Sequence, residues 1–202
     1  MNPLDELRQQ YPWPQEKPSV PEQLEKGWFC EENQVFLRSA ICRKDPCVIL
    51  KLGSWMGMPT RFLCDISRSD AIVIAIDHWE GSDEHRANPE WAKELPTLYS
   101  TFLANCWKYQ NKLIPMKESI LSGMEKLSSM GIKPSVIYLD AAHDMESVSN
   151  DLATCLKNFP DAIVIGDDWS WDSVREGVMA TLKVFREFDL KTFHTCYEVS
   201  KC

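Results

Sequence analysis

Four residues of this 202-residue chain are of types that do chemistry when brought together: Asp140, His143, Asp167 and Asp168. Asp140 and the Asp167-Asp168 pair each follow a short apolar run. They therefore belong at the carboxyl ends of strands, where open α/β sheets bind ligands. Neighbouring strands lie about 4.8 Å apart, so the three carboxylates converge if those two strands are adjacent. Two such charges about 5 Å apart repel by roughly 3 kcal/mol at an effective dielectric of 20. Either a pKa rises or a cation sits among them, and carboxylate oxygens suit Mg²⁺, or Mn²⁺ and Ca²⁺. His143 lies on the loop that Asp140 begins, placed to take a proton from a hydroxyl bound nearby. The plainer alternative is one helix-capping Asp, solvated neighbours and a loop histidine bonded to backbone.

A second group lies upstream. The stretch Cys47 to Thr60 starts as an apolar run, breaks at Gly53, reaches a second glycine at Gly57, and then reads as a helix start. Glycine lets backbone approach a ligand, and a helix start offers free N–H groups. Trp55 stands where a dinucleotide fingerprint has its middle glycine, so this is not the full G-x-G-x-x-G pattern. Asp77 ends the next apolar run, with His78 beside it. A carboxylate about 20 residues after such a turn accepts hydrogen bonds from ribose hydroxyls.

The elements that must position these residues alternate. Apolar runs at 48–52, 71–76, 112–116, 136–139 and 162–165 read as buried strands. Amphipathic segments between them read as helices, for example Val148, Leu152, Cys155 and Phe159 at helical spacing. The pattern predicts a Rossmann-like, doubly wound α/β fold, with a mostly parallel sheet of six or seven strands and helices on both faces. The stretch 192–199 is strand-like, and the residues after Phe188 leave room for one closing strand or two. Residues 1–27, with prolines at 3, 12, 14, 18 and 21, read as an irregular N-terminal extension that Tyr11 and Trp13 pin to a single domain over 28–202. Within that domain, 79–96 is a polar insertion with two tryptophans. It serves as a lid or substrate wall, or is a plain surface loop.

Composition narrows the function classes. Hydrophobic residues at 44% and charged residues at 26% are ordinary for a globular domain. The net charge of −8, with Arg43-Lys44 as the longest basic feature, argues against nucleic acid as a partner. No apolar run approaches the roughly 20 residues that span a membrane, and the N-terminus lacks signal-peptide character. Eight cysteines without C-x-x-C spacing suggest reduced thiols and a cytoplasmic location.

Together these motifs resemble the class I S-adenosylmethionine-dependent methyltransferases, in the branch of catechol and macrolide-sugar O-methyltransferases. Leu52-Gly53-Ser54-Trp55-Met56-Gly57 is similar to that branch's L-G-x-aromatic-x-G. The segment Asp140-Ala141-Ala142-His143, continuing to Val148 and Asp151-Leu152, resembles its D-x-x-H…V…D-L. Asp167-Asp168 followed by Gly177-Val178 resembles its D-D/N…G-V. The resemblance implies S-adenosylmethionine as cofactor. Gly53, Ser54, Trp55 and Gly57 would line its methionine and ribose, Asp77 would bind the ribose with His78 alongside, and Glu118 and Ser119 would border the adenine. It also implies Asp140, Asp167 and Asp168 as ligands of Mg²⁺ or a similar ion, with His143 as base and Asp140 beside it in catalysis. Two positions depart from the family: Lys51 stands where an acidic residue is usual, and Pro59 where Ser is.

The expected reaction is O-methylation of a hydroxylated small molecule with divalent-metal assistance. The competing expectation is a non-catalytic homologue that binds S-adenosylmethionine or a nucleoside. An NAD-linked oxidoreductase fits worst, because the glycine spacing is wrong. A homodimer is compatible with the sequence.

Overall fold

Val48–Leu52 forms β1, and all five of its residues are buried because helices cover both faces of the sheet. A computed structural model describes residues 2–45 and 47–202. In chain order, α1 (Pro3–Gln10) and α2 (Glu31–Lys44) precede β1, and α3 (Met58–Ile66) and β2 (Ile72–Asp77) follow it. Next come two short helices, α4 (Asp83–Ala87) and α5 (Pro89–Ala92), then α6 (Leu98–Asn105) and β3 (Leu113–Lys117). The remainder alternates as α7 (Ile120–Ser129), β4 (Val136–Leu139), α8 (Met145–Asn158), β5 (Ile163–Gly166) and α9 (Asp172–Val184), closing with β6 (Phe188–Phe193) and β7 (Cys196–Lys201).

The seven strands lie in the order β3-β2-β1-β4-β5-β7-β6. The first five are parallel, and β7 runs antiparallel between β5 and β6. The doubly wound sheet is thus as expected, and the short C-terminus supplies both closing strands. The order reverses between β1 and β4, which is where such sheets open a crevice. Side chains alternate along β1. Leu50 and Leu52 join the core beneath α7 and α8, while Ile49 joins the opposite core with Leu37 of α2 and Leu63 of α3. Lys51 shares that second face, opposite Tyr138 of β4, where an apolar residue would be unremarkable.

The N-terminal segment differs from its expected irregularity. Its later prolines do keep 12–29 free of helix, but Pro3 occupies the first turn of α1, where no N–H is needed. Asn2 caps that helix, and Leu7 is 0% exposed inside the core with Leu50 and Ile74. Arg8 donates to the Gln110 and Asn111 carbonyls, and the Trp13 indole donates to the Leu113 carbonyl at 2.9 Å. The segment therefore packs along the β3 edge. Among the described residues, no helix is long and apolar enough to cross a membrane.

Candidate active site

The turn after β1 is built by backbone geometry. Gly53 has φ 71°, and a Cβ there would lie 2.1 Å from the Asp140 carbonyl oxygen, so only glycine fits. Trp55 also takes a left-handed conformation, φ 47°. What holds it there is Asp77: one carboxylate oxygen accepts the Ser54 and Trp55 N–H groups at 2.7 and 3.2 Å, and the other accepts the Trp79 N–H at 2.7 Å. A carboxylate has about four acceptor positions. Three are used here, which leaves one for a hydroxyl donor, and Asp77 lines the site's cavity. His78 is exposed beside it, and its ring accepts the Glu80 N–H.

The ends of β4 and β5 are built from charge pairs instead. The Lys51 ammonium, on a side chain that is 0% exposed, donates to Asp140 Oδ2 at 2.8 Å. Asp167 Oδ2 accepts from the Tyr138 hydroxyl at 3.0 Å and from the Asn33 amide, while Oδ1 accepts the Asp168 N–H. Burial, then the nearby Asp140 and Asp168 charges, push the Asp167 carboxyl up. His143 is clamped by two carboxylates: Nε2 lies 3.0 Å from Asp168 and Nδ1 3.0 Å from Glu84. The Asp168 contact is the main cause that raises its pKa to about 9. The free protein at neutral pH therefore carries an imidazolium there, not a ready base.

These residues share one cavity of about 800 Å³. Gly53, Ser54, Trp55, Asp77, His78, Asp140, His143, Asp167 and Asp168 all line it. Gly57 is not among the lining residues and acts from behind, where its bare Cα lets Cys106 and Phe102 approach. Glu118 and Ser119 also stand apart from the cavity. Glu118 accepts from Tyr11 at 2.7 Å and pairs with Lys126, and Ser119 caps α7; their neighbours Ile120 and Leu121 face the cavity in their place.

The cavity wall also takes in Glu84, Trp28 and His85, to which the sequence assigns no role, beside Trp55, Trp91 and Asp151, which it marks. Glu84, in the 79–96 insertion, makes that segment a wall of the site. Trp28, Trp55, His85 and Trp91 form a continuous aromatic side, with the His85 ring stacked on Trp55 at 4.3 Å. Asp151, 8% exposed, has its carboxyl raised to about 7 by burial and then by the Asp144 charge, and among the described residues no hydrogen bond offsets it. The sequence marks it only as part of the Asp151-Leu152 motif, without a role.

The expected three-carboxylate cation site takes a different form. Among the described residues, Asp140, His143 and Asp168 bring ligand atoms within 4.8 Å of one another, and Asp167 is not in that set. Two of those ligand atoms are already bonded to each other across the His143–Asp168 pair, and Asp140 carries the Lys51 ammonium. A divalent ion about 5 Å from that ammonium would be opposed by roughly 7 kcal/mol at an effective dielectric of 20. As paired here, the set does not suit Mg²⁺, which also favours oxygen ligands over imidazole.

A family model described as a methyltransferase domain matches residues 50–169, well over half of the chain. No curated protein matches the sequence. Among solved structures, an O-methyltransferase from Bacillus cereus in complex with SAH is 15% identical over 88% of this chain and 84% of that one, with a TM-score of 0.65. Cofactor-bound Rv0187 from MTB is 12% identical, covers 89% of this chain and 84% of its own, and has a TM-score of 0.61. SAH-bound methyltransferase PaMTH1 from Podospora anserina is 12% identical, with coverages of 87% and 80% and a TM-score of 0.56. At such identities the likeness is one of fold.

Proposed function

Since this chain belongs to the methyltransferase-domain family, we propose that it methylates a hydroxyl oxygen of a small molecule with S-adenosylmethionine as donor. The observation that carries this reading is the charge of the cavity wall. Six carboxylates line it, Asp77, Glu84, Asp140, Asp151, Asp167 and Asp168, and they outnumber the cations beside them: Lys26, the His143 imidazolium and Lys51 behind Asp140. Such a wall favours a cationic sulfonium donor, and the favour weakens once methyl transfer leaves a neutral thioether. The open acceptor position of Asp77 suits a ribose hydroxyl. The cavity lies in the upper part of the roughly 300–1,000 Å³ range of ligand sites, which leaves room for an acceptor beside the donor.

Transfer from sulfonium to oxygen is an in-line displacement, so the chain must hold the two reactants about 3 Å apart and aligned. The Trp28–Trp91 side offers flat apolar faces to an acceptor such as a sugar or vicinal diol. His143 accepts the hydroxyl proton in its neutral form. With a pKa of about 9, that form is about 1% of the free protein at pH 7. Turnover should therefore climb with pH up to the value His143 takes in the complex. The clamped imidazolium also favours a second reading, a protein that binds the cofactor without turnover.

Calorimetric titration with S-adenosylmethionine, followed by a screen of hydroxylated acceptors between pH 7 and 9, tests both. Micromolar binding with methylated product supports the enzyme. Binding without product on any acceptor supports the second reading, and no binding rejects both.

A further inference from the structure

We propose that Lys51 is the resident cation of the strand-end carboxylates, so that Asp140 is held and neutralised from within the protein and the site takes no divalent ion. The inference concerns the same site as the methyl-transfer reading, and rests on it only for the catalytic consequence.

The argument begins with the strand. Lys51 points to the α2–α3 face of β1, between Ala75 of β2 and Tyr138 of β4. A fully buried lysine is rare unless its charge is matched. Here the ammonium has three donors and three oxygen partners: Asp140 Oδ2 at 2.8 Å, the Leu52 carbonyl at 3.3 Å and the Asp140 carbonyl at 3.5 Å. It also sits 4.4 Å from the centre of the Tyr138 ring, within the range of a cation–π contact. Oxygen ligands on one side and an aromatic face on the other make a complete socket for a monovalent cation, and the side chain delivers that cation covalently.

The neighbours complete the balance. Asp168 is paired with His143 at 3.0 Å, and Asp167 accepts hydrogen bonds from Tyr138 and Asn33. Each carboxylate expected to share a divalent ion thus has its own partner. Asp140 is 24% exposed in its side chain and lines the cavity. Its position is fixed by Lys51, which does not line the cavity itself. Lys51 is accordingly a positioning residue, acting on ligands only through Asp140.

The test is titration of the purified full chain with Mn²⁺ alone, followed by calorimetry and by Mn²⁺ paramagnetic resonance, on wild type, Lys51→Met and Lys51→Gln. The expected wild-type result is no saturable Mn²⁺ binding up to about 1 mM. Removal of the ammonium leaves Asp140 unpaired beside Asp168, and both variants should bind Mn²⁺ at least about tenfold more tightly than wild type. Micromolar Mn²⁺ binding by wild type would overturn the proposal, as would variants that bind no better than wild type. Should Lys51→Met fail to fold, Lys51→Gln and the wild-type titration still decide. In parallel, S-adenosylmethionine binding to wild type in EDTA should equal that in Mn²⁺. Failure to bind the cofactor under either condition defeats the methyltransferase reading and leaves the Mn²⁺ result standing. Cofactor binding only with Mn²⁺ defeats the resident-cation inference alone.

Discussion

The two halves of the cavity are built by different means. On the β1–β2 side, the glycine turn is held by backbone N–H groups converging on Asp77, and among the described residues no lysine or arginine pairs with it. On the β4–β5 side, the work is done by side-chain pairs: Lys51 with Asp140, and His143 with Asp168 and Glu84. The first half is rigid and responds to changes of shape. The second titrates and responds to changes of charge. A methyl-transfer site needs both: a fixed seat for the donor, and a group whose proton affinity can change at the acceptor.

The sharpest way to break the comparison is Gly53→Ala. Its Cβ meets the Asp140 carbonyl in a left-handed backbone position, so a loss of roughly 4 kcal/mol in stability is expected. Thermal unfolding measures it, and a shift of only a few tenths would show that the turn tolerates a side chain. Asp77→Ala comes next. Removing the acceptor of three loop N–H groups should weaken S-adenosylmethionine binding by about 100-fold, or roughly 3 kcal/mol, by calorimetry. An unchanged affinity would mean that the turn keeps its shape without Asp77.

Two pH experiments separate the charged half from the rigid one. The His143 pKa is raised in the folded state to about 9. Its contribution, at most about 3 kcal/mol, is full below the unfolded value near 6.5 and is lost as pH rises through about 9. Denaturation midpoints should therefore fall between pH 7 and 10 in wild type and much less in His143→Gln. Parallel curves would place the loss elsewhere. Asp151 moves stability in the same direction with pH, over a lower window. Its carboxyl is raised to about 7, so its ionisation costs stability as pH climbs from the unfolded value near 4 through 7. Asp151→Asn should be stabilising by roughly 2 kcal/mol at pH 8 and close to neutral at pH 4. A destabilised variant at pH 8 would indicate that the carboxylate is held by a partner.

Legibility in the sequence follows the same divide. Gly53 and Asp77 were readable because backbone chirality and strand-end placement act over short spans of chain. The charge pairs were not, because each joins residues far apart: Glu84 reaches His143 from the insertion, and Asn33 of α2 reaches Asp167. The family resemblance implied Glu118 beside the adenine; in the structure Tyr11, just after α1, donates to its carboxylate. Lys51 was visible as a departure, but its partner was not.

By itself, then, the sequence determined the alternation of strands and helices, the glycine turn, the carboxylates at the strand ends and the family they signal. These follow from side-chain periodicity and local backbone preference, which a linear chain displays directly. Only the tertiary structure decided which carboxylate meets which partner, that the 79–96 segment walls the cavity, and that the N-terminal segment closes the β3 edge. Side-chain pairing depends on strand register, helix docking and rotamer, and these are settled together when the core packs.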